Sequence, residues 1–249
     1  MTQTAALPRD PLELPALTGL RGLAALLVFG FHLHHLVAPM PVFARGFLGV
    51  DVFFVLSGFL LAWLAGQTSA VDWRGFYRRR ALRILPALYA QMLVLGVLVG
   101  AAGLTWIFPW PGWSDYANQF SLAFHVGGTP LQPLVGPWWS IPVELGFYVL
   151  FPLLWWGLRR SMLTTILVVL AMVLAYRGWL LLHDGTSPWL SAWLSLLPGR
   201  LEQFLFGMVA AVALLNGIGQ TPGRRLPIAA VGLLLCAGCW PGRSCRRPR

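Results

Sequence analysis

The sequence contains no lysine and only eight acidic residues among 249, so all 18 of its basic residues are arginines and its net charge is +10. Only 10% of its residues are charged, whereas soluble globular domains carry about 25%. This scarcity excludes an ordinary soluble domain. The arginines lie mostly in short clusters between apolar runs, which is how the positive-inside rule distributes charge in membrane proteins. We therefore expect no nucleic-acid partner despite the positive charge.

Cysteine is also scarce. The three cysteines, Cys236, Cys239 and Cys245, all lie near the end of the chain, so no disulfide framework organises the fold. Cys236 and Cys239 form a single Cys-x-x-Cys pair within an apolar run, which is weak evidence for a redox or metal site. No phosphate-binding loop of the GxxxxGK type occurs. No cleavable signal peptide is expected, because a polar segment with Arg9, Asp10 and Glu13 precedes the first apolar run.

Apolar residues are abundant. The chain is 57% hydrophobic with 13 Trp and 15 Phe, and its apolar runs of about 20 residues are long enough to cross a bilayer as helices. We predict an all-α polytopic membrane protein with about seven transmembrane helices. The predicted spans are 17–38, 47–66, 84–107, 139–158, 162–182, 199–217 and 226–241.

The arginine clusters predict the orientation and an unusual end of the chain. They place the N-terminus in the cytoplasm of a cell (inner) membrane and the long loop 108–138 outside. Trp63, Trp155 and Trp156, near the inner ends of their spans, are expected in an aromatic belt. The last stretch, 240–249, departs from the pattern because it would carry four arginines to the outside. We expect residues 1–249 to form a single membrane domain that is truncated or read out of frame near its end.

The first span, within TGLRGLAALLVFGFHLHHLVAP, carries ionisable residues that are costly in a membrane. Arg21 and His32 lie about 20° from the same helix face and about 16 Å apart along the axis. His34 and His35 are interpreted as interfacial residues at the helix end, with a metal cluster as the alternative. The pattern predicts Arg21 toward the cytoplasmic end and His32 toward the outer end.

Two acidic residues are predicted at a depth similar to that of His32. Asp51 and Glu144 lie about 6 and 7.5 Å inside the outer ends of their spans, and His32 lies about 9 Å inside its own. An imidazole oriented by a carboxylate is a suitable general base for a hydroxyl. Alternatively, each acid pairs with an arginine and holds helices together. Ser57, followed by Gly58, is interpreted as a close packing position rather than a nucleophile.

A second group of charges precedes the third span. Arg80 and Arg83 share one helix face, and guanidinium groups bind phosphates with two parallel hydrogen bonds. For Arg78 and Arg79, topology determination alone is the better explanation. Two phosphate ligands are therefore predicted at the inner side.

These residues lie in segments that together resemble the acyltransferase-3 family of integral membrane O-acyltransferases. In order, the matching segments are LPALTGLRGLAALLVFGFHL, GVDVFFVLSGFLL, FYRRRALRILPAL, PWWSIPVELGFYVLFPLL and RLEQFLFGMVAA. The first resembles an N-terminal signature of Arg and His separated by ten residues. The resemblance covers residues 15–212, and several motifs in the same order are more specific than any one of them.

The resemblance implies a helical membrane enzyme that transfers an acyl group, often acetyl, from cytoplasmic acyl-CoA to a hydroxyl of an extracytoplasmic glycan or similar acceptor. No permanently bound cofactor and no metal are implied. His32 would be the catalytic residue, with Asp51 and Glu144 beside it, and Arg21, Arg80 and Arg83 would bind the donor. Family members usually have about ten membrane helices, more than this chain provides.

Two other functions are compatible with ionisable residues inside helices. A transporter or channel would place them along a solute path and would release no CoA. A non-catalytic scaffold or inactive fragment would be consistent with the unusual tail.

Overall fold

The computed structural model describes residues 15–37, 39–104, 112–121, 136–185 and 193–217, and these contain helices and no strands. The short connections include two 3-10 turns, Pro41–Phe43 and Gly136–Trp139, and a π-helical turn, Gly96–Ala101, continues the third helix. The seven helices are α1 (Pro15–Leu36), α2 (Leu48–Gly66), α3 (Trp73–Leu95), α4 (Trp113–Phe120), α5 (Ser140–Arg160), α6 (Met162–Asp184) and α7 (Leu197–Leu215).

Six described stretches are long and apolar enough to cross a membrane, and this confirms an all-α polytopic protein. They correspond to the first six predicted spans; the seventh, 226–241, lies outside the described residues, as do the tail and the cysteines. The six stretches are Ala16–His35, Pro41–Gly66, Trp73–Ala101, Pro137–Arg160, Met162–His183 and Leu197–Leu215.

The third span differs from its prediction. It was expected over 84–107, but α3 already begins at Trp73. The reason is local: the Asp72 side chain accepts a hydrogen bond from the Gly75 amide at 2.9 Å and caps the helix. Arginine is a good helix former, so the helix continues through the cluster at 78–83. These arginines therefore belong to the helix itself and not to a connection before it.

The loop predicted over 108–138 also contains regular structure. It includes α4, and the Tyr116 hydroxyl donates a hydrogen bond to the Met92 carbonyl at 2.7 Å, just before the π-helical turn. Burial among apolar groups raises the pKa of Tyr116. Leu88, Met92 and Trp138 form a buried cluster against which Tyr116 packs.

The contacts divide the chain into two units, and the first comprises the described residues up to Gln67 and from Phe206 onward. Its helices α1 and α2 pack closely and antiparallel. A side chain at Gly46 would meet the Leu27 carbonyl, and one at Gly49 would meet the Ala24 carbonyl. The absence of side chains at these glycines therefore permits the close helix approach.

The second unit comprises Thr68–Leu205. Its helix α3 runs antiparallel to α5, with Phe76 stacked on Phe151 at 5.4 Å between ring centroids. Its part of α7 packs on α5 through Phe147 and Phe204, whose ring centroids are 4.1 Å apart. A tight turn at Ser161 joins α5 and α6, because the Ser161 hydroxyl accepts a hydrogen bond from the Thr164 amide and caps α6.

Two of the three tryptophans expected in an aromatic belt are instead buried. Trp63 is 2% exposed and Trp155 is 8% exposed, whereas Trp156 is 65% exposed. Trp63 stacks on Phe59, and Trp155 stacks on Phe151. Their rings therefore fill the protein core, since a tryptophan near a helix end can face either lipid or a neighbouring helix.

Candidate functional site

His32 lies near the end of α1 and is half-buried. Its Nδ1 is 2.8 Å from the Val28 carbonyl oxygen. Because a carbonyl can only accept, Nδ1 carries the proton in the neutral ring and Nε2 remains an acceptor. The Phe31 ring meets His32 edge-on, with 5.4 Å between centroids. This is the protonation arrangement that a general base requires.

The neighbouring histidines differ from His32. The Nδ1 of His34 accepts a hydrogen bond from the Met40 amide at 2.5 Å, so its proton lies on Nε2. His35 bonds the Phe31 carbonyl through Nδ1 at 2.8 Å but is exposed. No metal-holding group of three His, Cys, Asp or Glu side chains occurs within the described part of the chain. His34 thus serves as a link to the turn after α1.

Asp51 and Arg21 are both in the first unit, and the packing of α1 on α2 fixes their relative positions. Gly46 lies against Leu27 and Gly49 against Ala24. Continuing this antiparallel register places Asp51 beside Gly22, about 15 Å along α1 from His32 and only about 1.5 Å from Arg21. Asp51 is 7% exposed. The predicted common layer of His32 and Asp51 is therefore not formed, because equal distances from helix ends do not mean equal positions when the helices are offset.

Glu144 lies in the second unit and belongs to a compact polar cluster. The Tyr148 hydroxyl, one turn further along α5, donates a hydrogen bond to the Glu144 carboxylate. The Arg80 guanidinium lies over the Tyr148 ring, with 5.7 Å from Cζ to the ring centroid. Arg80 also lies 6.0 Å from the Phe76 centroid and interacts electrostatically with Glu144. The structure thus brings together two predicted site residues that were expected at opposite sides of the membrane.

The remaining arginines of the cluster are more accessible. Arg83 is exposed and interacts electrostatically with Arg80, as expected for residues on one helix face. Arg78 and Arg79 are also exposed. Arg80, in contrast, is half-buried on the aromatic surface formed by Phe76 and Tyr148. Arg80 is consequently the most firmly positioned of the four guanidinium groups.

The sequence analysis missed an ion pair between α6 and α7. Arg177 donates hydrogen bonds to the Glu202 carboxylate and, at 2.6 Å, to the Gly199 carbonyl. Arg200 lies over the Trp139 ring at 5.7 Å. The sequence does contain a signal for this ion pair. Arg177 is the only charged residue within the predicted span 162–182, and Glu202 is the only acidic residue within the predicted span 199–217. Such lone charges inside membrane helices usually pair.

The candidate residues therefore form two separate local arrangements, each within one unit. The first offers a half-buried imidazole with a free Nε2. The second offers a guanidinium and a carboxylate joined by a tyrosine, a combination that can bind an anion and accept a proton or hydrogen bond.

Comparison with known proteins identifies one family and several relatives that are similar to this chain. A family described as an acyltransferase domain, acyltransferase-3, matches residues 14–246. Acyltransferase MdmB of Streptomyces mycarofaciens is 28% identical over 93% of this chain and 64% of its own length. O-acetyltransferase OatA of Staphylococcus aureus is 34% identical over 58% of this chain and 25% of its own length. Peptidoglycan O-acetyltransferase OatA of Listeria monocytogenes is 28% identical over 70% of this chain and 30% of its own length.

These features define the class as a multi-pass, all-helical membrane protein with ionisable residues inside its spans. The chain belongs to the acyltransferase-3 family, because that family matches most of its length. The predicted membership of the acyltransferase-3 family is thereby confirmed. The chain spans 64% or less of the length of the three relatives described. No solved structure matches.

Proposed function

We propose that this protein is a membrane O-acyltransferase that transfers an acyl group, with acetyl as the first candidate, from acyl-CoA to an acceptor hydroxyl. The observation that carries the proposal is the imidazole of His32, whose Nδ1 is bonded to the Val28 carbonyl and whose Nε2 is available as a base. The family match over residues 14–246 supports acyl transfer as the reaction. Two of its relatives are named O-acetyltransferases, which supports a hydroxyl acceptor and an acetyl group.

The proposed reaction is direct transfer without a covalent acyl-enzyme. The His32 Nε2 takes the proton of the acceptor hydroxyl as its oxygen attacks the thioester carbonyl. The tetrahedral intermediate collapses, the carbon–sulfur bond breaks, and the imidazolium returns the proton to the leaving CoA thiolate. The Val28 carbonyl, which accepts from Nδ1, stabilises the charged ring during the reaction. A base of this kind contributes about 10²–10⁴-fold in rate.

For the donor, the proposal assigns the CoA phosphates to arginine. Arg80 is half-buried and Arg83 is exposed beside it on the same face of α3, and guanidinium groups are well suited to phosphate. Arg21 and Asp51 lie at similar positions along α1 and α2, with Arg21 half-buried. We assign Arg21 to donor binding as well. We assign to Asp51 the role of holding the part of the site around Arg21 in position.

For the acceptor and the orientation, the proposal follows the charge distribution. Arginine clusters at 78–83, 159–160 and 224–225 favour a cytoplasmic N-terminus in the cell membrane. The acceptor is then a glycan or glycolipid hydroxyl on the outer side. One relative's name specifies peptidoglycan, which makes a cell-wall glycan the first acceptor to test.

The decisive experiment is acyl transfer in membranes that contain this chain, with labelled acetyl-CoA and isolated cell-wall glycan. His32→Ala should abolish transfer, while His35→Ala should retain it, because His35 is exposed but makes the same type of bond to a backbone carbonyl. Equal loss in both variants, at matched protein levels, would contradict the role of His32. Solute uptake without release of CoA would favour a transporter instead.

A further inference from the structure

The strongest unassigned feature is Tyr148, which contacts two predicted site residues at once. Tyr148 is 4% exposed in the second unit. Its hydroxyl donates to the Glu144 carboxylate, and its ring lies beneath the Arg80 guanidinium. Little solvent reaches the hydroxyl or the ring, because the side chain is almost completely enclosed.

We propose that Tyr148 is a positioning residue that joins Arg80 and Glu144 into one functional unit. Its hydroxyl fixes one carboxylate oxygen of Glu144, and its ring face holds the guanidinium of Arg80. The proposal rests on the proposed function in assigning donor binding to Arg80 and a role in the reaction to Glu144. The physical link itself is independent of that function.

The surroundings of Tyr148 explain why it can hold both partners. Phe76 lies beside Tyr148, with the two ring centroids 6.2 Å apart and the rings nearly perpendicular, and the guanidinium also lies 6.0 Å from the Phe76 centroid. Phe76 in turn stacks on Phe151 at 5.4 Å. The cation therefore faces two aromatic rings that cannot rotate freely, and cation–π attraction is strongest where water is excluded. An aromatic residue at position 148 consequently limits where the Arg80 charge can lie.

The two links can be separated by substitution. Tyr148→Phe removes the hydroxyl and keeps the ring, so it releases Glu144 while Arg80 stays in place. Tyr148→Leu removes both. If the assignments hold, the Phe variant lowers kcat by about 10- to 100-fold, as expected for a lost hydrogen bond to a charged group, and leaves the KM for acetyl-CoA nearly unchanged. The Leu variant lowers kcat similarly and also raises that KM severalfold.

The chain offers a matched control. Tyr176 is a half-buried tyrosine of the same unit, and its hydroxyl donates to the Trp193 carbonyl at 2.8 Å. Tyr176→Phe removes an equivalent hydroxyl bond from the same unit but touches neither Arg80 nor Glu144. Its kcat and KM should match those of the native protein. Equal effects of Tyr176→Phe and Tyr148→Phe would indicate a general loss of structure and would overturn the positioning role.

The kinetic test is a double-substitution cycle with Glu144→Gln, with active protein counted by binding of labelled acetyl-CoA. In the Gln background, Tyr148→Phe should reduce kcat by less than threefold, because the carboxylate that it positions is already absent. Full additivity of the two effects would overturn the proposal, since a merely structural tyrosine would act regardless of residue 144.

Thermal unfolding of the same four purified proteins separates this inference from the proposed function. Tyr148→Phe and Glu144→Gln should each lower Tm, and the double variant should be little worse than the less stable single one. This coupling is expected even if acetyl-CoA is not the donor. Additive Tm changes would show that the two residues are not linked and would overturn the inference, whereas coupled Tm changes without any acetyl-CoA binding or transfer would overturn only the proposed function.

Discussion

Arg177 and Glu202 form an ion pair that joins α6 to α7 within the second unit. The antiparallel turn between α5 and α6 brings Gly157 against Thr165, and Phe147 stacks on Phe204. The alignment of α6 along α5 and that of α7 along α5 each place the Arg177–Glu202 pair near the level of Glu144. Charged residues in a membrane segment are costly unless paired, and the second bond of Arg177, to the Gly199 carbonyl, strengthens the same helix connection.

Removing either partner of this pair should destabilise the protein. Glu202→Gln or Arg177→Met leaves a charge without its counterion and should lower the free energy of unfolding by about 1–3 kcal/mol. We expect a smaller loss of stability than for a fully buried pair, because the Arg177 side chain is 32% exposed. Thermal or denaturant unfolding in detergent measures the change. The double variant should be more stable than the sum of the two single losses implies; a strictly additive result would show that the ion pair contributes nothing.

A second prediction concerns the close approach of α2 and α7 in the first unit. A side chain at Gly207 would overlap the Val55 carbonyl, so Gly207→Ala should lower stability by about 1–3 kcal/mol through forced helix separation. Gly178, in α6, has no atom within 4 Å of the corresponding position. Gly178→Ala should therefore be neutral or stabilise by up to about 1 kcal/mol, because alanine is the better helix former.

Unfolding curves for the two alanine variants, recorded side by side, test this contrast. The substitution is the same in both cases, so differences in propensity cancel. Equal stability of the two variants would show that α7 does not approach Val55 as closely as described.

The N-terminal cap of α3 supports a third prediction. Asp72 accepts a hydrogen bond from the Gly75 amide. The loss of this bond in Asp72→Ala should lower the free energy of unfolding by about 1 kcal/mol. Asp72→Asn should retain most of the stability because asparagine is an equally good cap. Hydrogen exchange of the amides in the first turn of α3 measures the effect locally. Similar exchange in Ala and Asn variants would contradict the capping role.

The sequence predicted the helices well because length and hydropathy determine which segments can cross a bilayer. It also predicted that Arg21 and His32 lie along one helix, since both positions depend only on helical periodicity. The start of α3 was missed because the signal lies in one capping residue, Asp72, within a polar segment. That error placed Arg80 before the third membrane span and hid its contact with Tyr148.

Relationships between helices were harder to predict from the sequence. The offset between α1 and α2 depends on which glycines face the partner helix, and several glycines in both helices could have done so. Sequence patterns within one helix carry no information on this choice. The common layer of His32 and Asp51 was therefore predicted from depth alone, and the register of Gly46 and Gly49 placed Asp51 elsewhere.

The register of α1 and α2 leads to the last prediction. Asp51 lies about 1.5 Å from Arg21 along the helix axis but about 15 Å from His32. Residues separated by more than about 7–10 Å usually make additive contributions, whereas neighbours do not. The effects of Asp51→Asn and Arg21→Gln on activity should therefore be non-additive. With a partially active His32 variant, such as His32→Gln, the effects of Asp51→Asn should add.

Initial rates of acetyl transfer, or Tm values where transfer is too slow to measure, test this for both pairs. Asp51→Asn, the substitution common to both pairs, is isosteric, so it creates no cavity in either comparison. Coupling of Asp51 to His32 rather than to Arg21 would mean that the carboxylate orients the imidazole after all, and that the two helices are shifted by about three turns from the register described. Coupling to Arg21 alone would leave the Val28 carbonyl, which accepts from Nδ1, as the group in the first unit that orients the base.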